Sequence, residues 1–175
     1  MISSRLHRIQ NLGNSYFCIS CVNALIACPP FTDQLLNPER EKQIRKGKGR
    51  VFKDIINICT AQPFDLQCVK SLRTNVALHY RSTNNWSTSA TNFDDGNEHD
   101  PEEFMRALLD CLNDEFESNH NWVELLTEIL MCEVHTCPSC TYKREVTIKD
   151  MVLQLSAEAS SLQDGIRRKL GDEVI

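Results

Sequence analysis

No stretch of this chain approaches the ~20 consecutive apolar residues that a membrane-spanning helix needs, so no membrane partner is expected. Residues 1–10 carry charges and hold no apolar run of signal-peptide length, so no secretory route is expected either. The nine cysteines are odd in number and follow no secreted-scaffold spacing, which argues against a disulfide framework. Together these absences point to a reduced, intracellular chain in the cytoplasm or nucleus. Asn85-Trp86-Ser87 has the pattern of a glycosylation acceptor, but without a secretory route it reads as accidental. Clustered positive charge is scarce as well. A formal net charge of -5 argues against a nucleic-acid partner, because phosphate binding requires grouped cations. The basic run Arg40, Lys42, Arg45, Lys46, Lys48 and Arg50 reads as a solvated helix face and loop; contact with an acidic patch or a phosphate backbone is the alternative.

What is present suffices for one sizeable core, or for a domain with part of another, in 175 residues. Ser15 or Asn14 can cap a helix reaching about position 28, with Phe17, Cys21, Val22, Leu25 and Ile26 on its apolar side and Pro29-Pro30 as its stop. A polar helix is predicted over 35–45, ended by Gly47 and Gly49. Helical spacing recurs over 51–59 through Phe52, Ile55, Ile56 and Cys59, and a short helix is predicted over 65–74. The Ser, Thr, Asn and Asp content of 82–97 marks a loop. The next helix has the fullest set of local signals: Asp100 as cap, Pro101 at the first position, Glu103 at the capping-box position, and Phe104, Leu108, Leu109, Cys111, Leu112 and Phe116 on one face. A helix through Trp122, Leu125, Leu126 and Ile129 then gives way to strands predicted over 131–136 and 144–155, with Cys137-Pro138-Ser139-Cys140 at the turn.

Two short segments carry a resemblance. Asn11-Leu12-Gly13-Asn14-Ser15-Tyr16-Phe17 is similar to the opening box of the ubiquitin-specific proteases, Asn-x-Gly-Asn-Thr-Cys-Tyr/Phe-x-Asn-Ser, with matches at Asn11, Gly13, Asn14, Ser15, Phe17 and Ser20. Glu98-His99-Asp100-Pro101-Glu102-Glu103-Phe104 resembles the second signature, Gln-Gln-Asp-Ala-x-Glu-Phe, with matches at Asp100, Glu103 and Phe104. The resemblance implies an α+β, papain-like ubiquitin-specific protease fold, truncated to a helical thumb over 1–129 and the start of the fingers and palm over 130–175. It implies that Asp100, Glu103 and Phe104 support the thumb and face a ubiquitin tail, and that Asn11 is the oxyanion-hole residue. His99 reads as an exposed histidine before a helix rather than a catalytic one.

The departures matter more than the matches. Where the family places its nucleophilic cysteine the chain has Tyr16, and Ile19 stands at a family Asn. A thiolate at a helix start is the attacking group in this chemistry. A phenol of pKa about 10 is ionised in only roughly one molecule in a thousand at pH 7, and its ring would fill the tail channel. Helical geometry turns about 100° per residue, which puts Cys18 roughly 200° and Cys21 roughly 140° away from position 16, so neither shares its face. The family's general base lies in a Gly-Gly-His-Tyr-like strand, and none of His7, His79, His99, His120 and His135 has that context.

Cys137 and Cys140 form a Cys-x-x-Cys turn, the spacing that lets two thiolates meet one tetrahedral zinc. The resemblance puts the partner pair further along, so this is half a zinc site. Cys132 and His135 could complete it locally; a metal-free or partner-completed turn is the other reading, and a redox pair is disfavoured without a surrounding βαβ unit. The expectation is a catalytically inactive ubiquitin-specific-protease-like domain that binds ubiquitin, a ubiquitinated protein or another partner of that pathway, or competes with an active relative. The alternatives are an active deubiquitinating thiol protease completed by residues or a chain not seen here, and a folded relic.

Overall fold

The computed structural model describes residues 13–60, 66–83, 92–117, 121–153 and 155–170. Among them the chain is α+β, with helices first and a two-stranded antiparallel sheet after. It divides into two units between Thr127 and Glu128. No described helix is long and apolar enough to cross a membrane.

In the first unit, α1 (Tyr16–Ile26) follows a turn in which Gly13 takes φ +60, a conformation that a side chain disfavours, and Ser15 N–H donates to the Gly13 carbonyl at 2.9 Å. Phe17, Cys18, Ile19, Cys21, Val22 and Leu25 are buried. Pro29-Pro30 does not merely stop this helix: it opens α2 (Pro29–Leu35), because proline at the first turn sacrifices an N–H that has no helical partner anyway. Thr32 Oγ1 donates to the Ile26 carbonyl at 2.7 Å and joins the two helices.

The helix predicted over 35–45 does not form. Pro38 cannot sit inside a helix; instead Asn37 accepts from Glu39 N–H at 3.0 Å and caps the single turn α3 (Pro38–Glu41). Ile44 then makes an antiparallel bridge with Phe116. Gly49, at φ +95, ends this passage under close packing, since a Cβ there would meet Ile44 Cγ2 at 2.8 Å. Three residues of the basic run meet carboxylates within the unit: Arg45 and Lys48 share Asp114 at 3.3 and 2.7 Å, and Lys42 reaches Glu39 at 2.7 Å.

α4 (Arg50–Thr60) forms where its spacing predicts, with Val51, Phe52, Ile55 and Ile58 buried. α5 (Leu66–Thr83) runs well beyond the predicted 65–74, since Val69, Leu72, Val76 and Ala77 extend one buried stripe along it. Ser82 and Thr83, expected in the loop, therefore close this helix. In α6 (Pro101–Glu115), Asp100 accepts from Glu102 N–H at 2.7 Å, and Phe104, Leu108, Leu109, Cys111 and Leu112 are buried as expected. α1 packs on α6, and α4 packs on both α5 and α6. α7 (Trp122–Thr127) buries Trp122 and Val123 but leaves Leu125 86% exposed.

In the second unit, Ile129 belongs to a strand rather than to the preceding helix, because it pairs with Asp150. β1 (Ile129–Thr136) and β2 (Lys143–Asp150) are in register from Ile129↔Asp150 to Thr136↔Lys143. The second strand stops short of the predicted position 155: the Asp150 carboxylate accepts from the N–H groups of Met151 and Val152 at 2.7 and 3.2 Å and turns the chain. α8 (Leu162–Leu170) follows, with Gly165 packed on Leu155 and Ala159.

Candidate functional site

The two signature segments, far apart in sequence, meet around Phe17. Its ring lies edge-on to Phe104 and to His99, each at 5.2 Å, and Phe93 joins them at 6.3 Å. Asn14 Nδ2 donates to the Gly96 carbonyl at 3.0 Å, and the Cys21 thiol donates to the Pro101 carbonyl at 3.1 Å. Asp100 serves as the cap of α6, Phe104 sits in the core, and Glu103 accepts from the Tyr80 hydroxyl at 3.4 Å. Asn11 lies outside the described residues, as do His7, His120 and Asn85-Trp86-Ser87.

Tyr16 is the first residue of α1 and is 43% exposed. Partial burial raises its pKa first; the charge of Glu98 and a side-chain hydrogen bond to it add to the effect. Behind it, Cys18 is fully buried and its thiol is pushed well above the ordinary range by loss of solvent. Cys21 is also buried, which raises it to about 11. Neither thiol is set up to ionise at neutral pH.

His99 is not the exposed residue its sequence position suggests. Its side chain is only 9% exposed, wedged against Phe17 and Phe93, with Nε2 2.8 Å from Asp95 Oδ1. Asp95 also accepts from Asn97 N–H at 2.8 Å, and this backbone bond leads the effects that lower its pKa to about 2. An aromatic cluster needs an edge-on partner, and a carboxylate four residues earlier holds the imidazole in that role.

Residues 7–174 match the family described as ubiquitin carboxyl-terminal hydrolase. The chain belongs to that family. No curated protein matches it. The likeness of the two boxes thus rests on a match that runs through both units, and the family acts on ubiquitin or ubiquitinated proteins.

Two supports of the site were missed by sequence reasoning. Arg73 is buried on α5, donates through Nε and Nη2 to the Phe93 carbonyl at 3.1 and 2.9 Å, and lies 5.4 Å over the Phe17 ring. A buried arginine within a helical stripe is the signal that could have drawn attention to it. Glu115 accepts from Val51 and Phe52 N–H at 2.9 and 2.8 Å and so caps α4 from the end of α6. Along α5 and α6 there is a cavity of about 640 Å³ lined by residues that include His79, Tyr80, Glu103, Arg106, Asp110 and Asp114.

At the hairpin turn, Cys137 N–H donates to the Tyr142 carbonyl at 3.0 Å, and the Cys137 thiol lies 3.2 Å from Ser139 Oγ. Hydrogen bonds, chiefly from Ser139 and then from Cys140, lower Cys137 to about 7. Cys132 and His135 are exposed on β1, an odd separation that sends them to opposite faces. His135 Nε2 instead lies 3.5 Å from Glu133. Among the described residues no group of three or more His, Cys, Asp or Glu side chains converges as a metal would require. Cys137 and Cys140 supply two of the four donors that a tetrahedral zinc takes.

Proposed function

We propose that this chain is a catalytically inactive member of its family that engages ubiquitin or a ubiquitinated protein without cutting it. The observation that carries this reading is the side chain at the head of α1. Where the opening box calls for a thiol there is a half-exposed phenol, and the two nearby thiols are buried. Acyl transfer from an isopeptide needs a nucleophile of low pKa and a base to take its proton. Tyr16 is shifted in the wrong direction, and so are Cys18 and Cys21. Binding asks less of the site than chemistry does. The meeting of both signature segments around Phe17 supports a retained thumb surface, and family membership supplies ubiquitin as the ligand class.

The test is incubation of the full chain with a fluorogenic ubiquitin amide and with ubiquitin conjugates, alongside a titration of labelled ubiquitin. The expected result is saturable binding with no release of fluorophore or free ubiquitin. Turnover that disappears in Cys18→Ala or Cys21→Ala would overturn the inactive reading, and absence of binding at millimolar ubiquitin would overturn the ligand.

A further inference from the structure

From Lys42 to Lys53 the chain holds six cations, Lys42, Arg45, Lys46, Lys48, Arg50 and Lys53, and not one acidic residue. The fold offers them few carboxylates in return. Glu39 takes Lys42 at 2.7 Å, Glu41 lies 3.8 Å from Lys53, and Asp114 is shared by Arg45 and Lys48. Glu115 is buried and accepts from the Val51 and Phe52 N–H groups, so its charge is turned inward. Lys46 and Arg50 are exposed, and among the described residues they meet no carboxylate. A chain of net charge -5 thus gathers an excess of positive charge on one loop.

The loop is also held in shape. Arg45 N–H donates to the Glu115 carbonyl at 2.9 Å, Glu117 N–H to the Gln43 carbonyl at 3.3 Å, and Lys48 N–H to the Arg45 carbonyl at 3.0 Å. Gly47 and Gly49 take φ +81 and +95, so the cations fan out from a turn that side-chain-bearing residues would resist. A Cβ on Gly47 would meet nothing within 4 Å, which leaves the outside of the turn open to an approaching chain. Cations on a fixed backbone lose less freedom when a partner arrives. The loop meets the Asp114–Phe116 end of α6, whereas the signature segments meet at Phe104. At 1.5 Å per residue these ends stand about 15 Å apart.

We infer that the 42–53 loop docks an acidic peptide segment of a partner protein, with Lys46 and Arg50 pairing two of its carboxylates. Arg45 and Lys48, already held by Asp114, add to the local field. Carboxylates suit this surface better than a nucleic acid does. Single strands bind proteins by stacking bases on aromatic rings, and the one aromatic residue of the run, Phe52, is buried. The net negative charge of the whole chain also repels a long polyanion more than a short segment. This surface is separate from the head of α1 and does not require ubiquitin as a ligand.

The experiment follows the fluorescence anisotropy of a labelled octaglutamate peptide titrated with the full chain at low salt, where exposed charges are least screened. Saturable binding is expected. Lys46→Gln combined with Arg50→Gln should weaken it at least about threefold, the scale of two exposed ion pairs. Lys143→Gln combined with Arg144→Gln removes the same charge from exposed positions of β2 and should weaken it less than about twofold. A thymidine octanucleotide should bind more weakly than octaglutamate, and ubiquitin binding should be the same in the Lys46/Arg50 variant as in the parent. Circular dichroism checks folding; if the double variant is unfolded, Lys46→Gln alone replaces it, with a loss of about twofold expected. No binding of octaglutamate, a smaller loss than these, or an equal loss in the Lys143/Arg144 variant would overturn the docking surface. So would tighter binding of the oligonucleotide, a salt-sensitive dimer of the chain alone, or weakened ubiquitin binding in the Lys46/Arg50 variant.

Discussion

Returning a thiol to position 16 separates reactivity from catalysis. In Tyr16→Cys the sulfur would stand at the first residue of α1, where unpaired N–H groups and the helix dipole lower its pKa. Slow labelling by an electrophilic ubiquitin probe is expected, limited to about one equivalent, with no repeated hydrolysis of a ubiquitin amide. His99 sharpens the test because its ring touches Phe17 and its Nε2 is held by Asp95. If Tyr16→Cys turns over and Tyr16→Cys with His99→Ala does not, His99 is a base and the inactive reading fails. That histidine also marks the limit of reading residues one at a time. Sequence placed it correctly before a capped helix, but its burial depends on Phe17 and Phe93, which arrive from elsewhere in the chain.

At the scale of the element, the hairpin turn is a two-thiol donor, and we expect it to hold zinc weakly. Zinc added to the full chain should be lost on dialysis against a mild chelator. Stoichiometric zinc that survives would show that Cys132 and His135, or a second copy of the chain, complete the shell. Elements with local signals were the legible ones. α6 announces itself through its cap Asp100, through Pro101 and through an apolar face that includes Phe104, Leu108, Leu109 and Leu112, all local signals. The hairpin does so through Val, Ile and Thr flanking a Cys-Pro-Ser-Cys turn. Where one residue has two local meanings, sequence misled: Pro29-Pro30 reads as a stop yet opens α2, and the helix expected over 35–45 is replaced by a single turn that Pro38 begins. The site was legible as two motifs but not as a pair, since the contact between Phe17 and Phe104 is made only when α1 packs on α6.

Across the whole molecule, Glu115 ties the first unit together. Its carboxylate is buried, which raises its pKa, and the backbone N–H groups of α4 offset that effect. Glu115→Ala should destabilise the chain by about 2–3 kcal/mol, because buried amides of α4 lose their acceptor. Urea unfolding measures this, and a loss below about 0.5 kcal/mol, the range of neutral surface changes, would show that water replaces the cap. The same bond also sets an order of events during synthesis. α4 is built early, yet the acceptor for its first amides comes 63 and 64 residues later. A nascent chain that has emerged only as far as α5 holds a helix with an open head, and so distant a closure is slow to form. Until α6 leaves the ribosome, the amino-terminal helices have no finished partner, and it is in that interval that the chain is most exposed to chaperones and proteases.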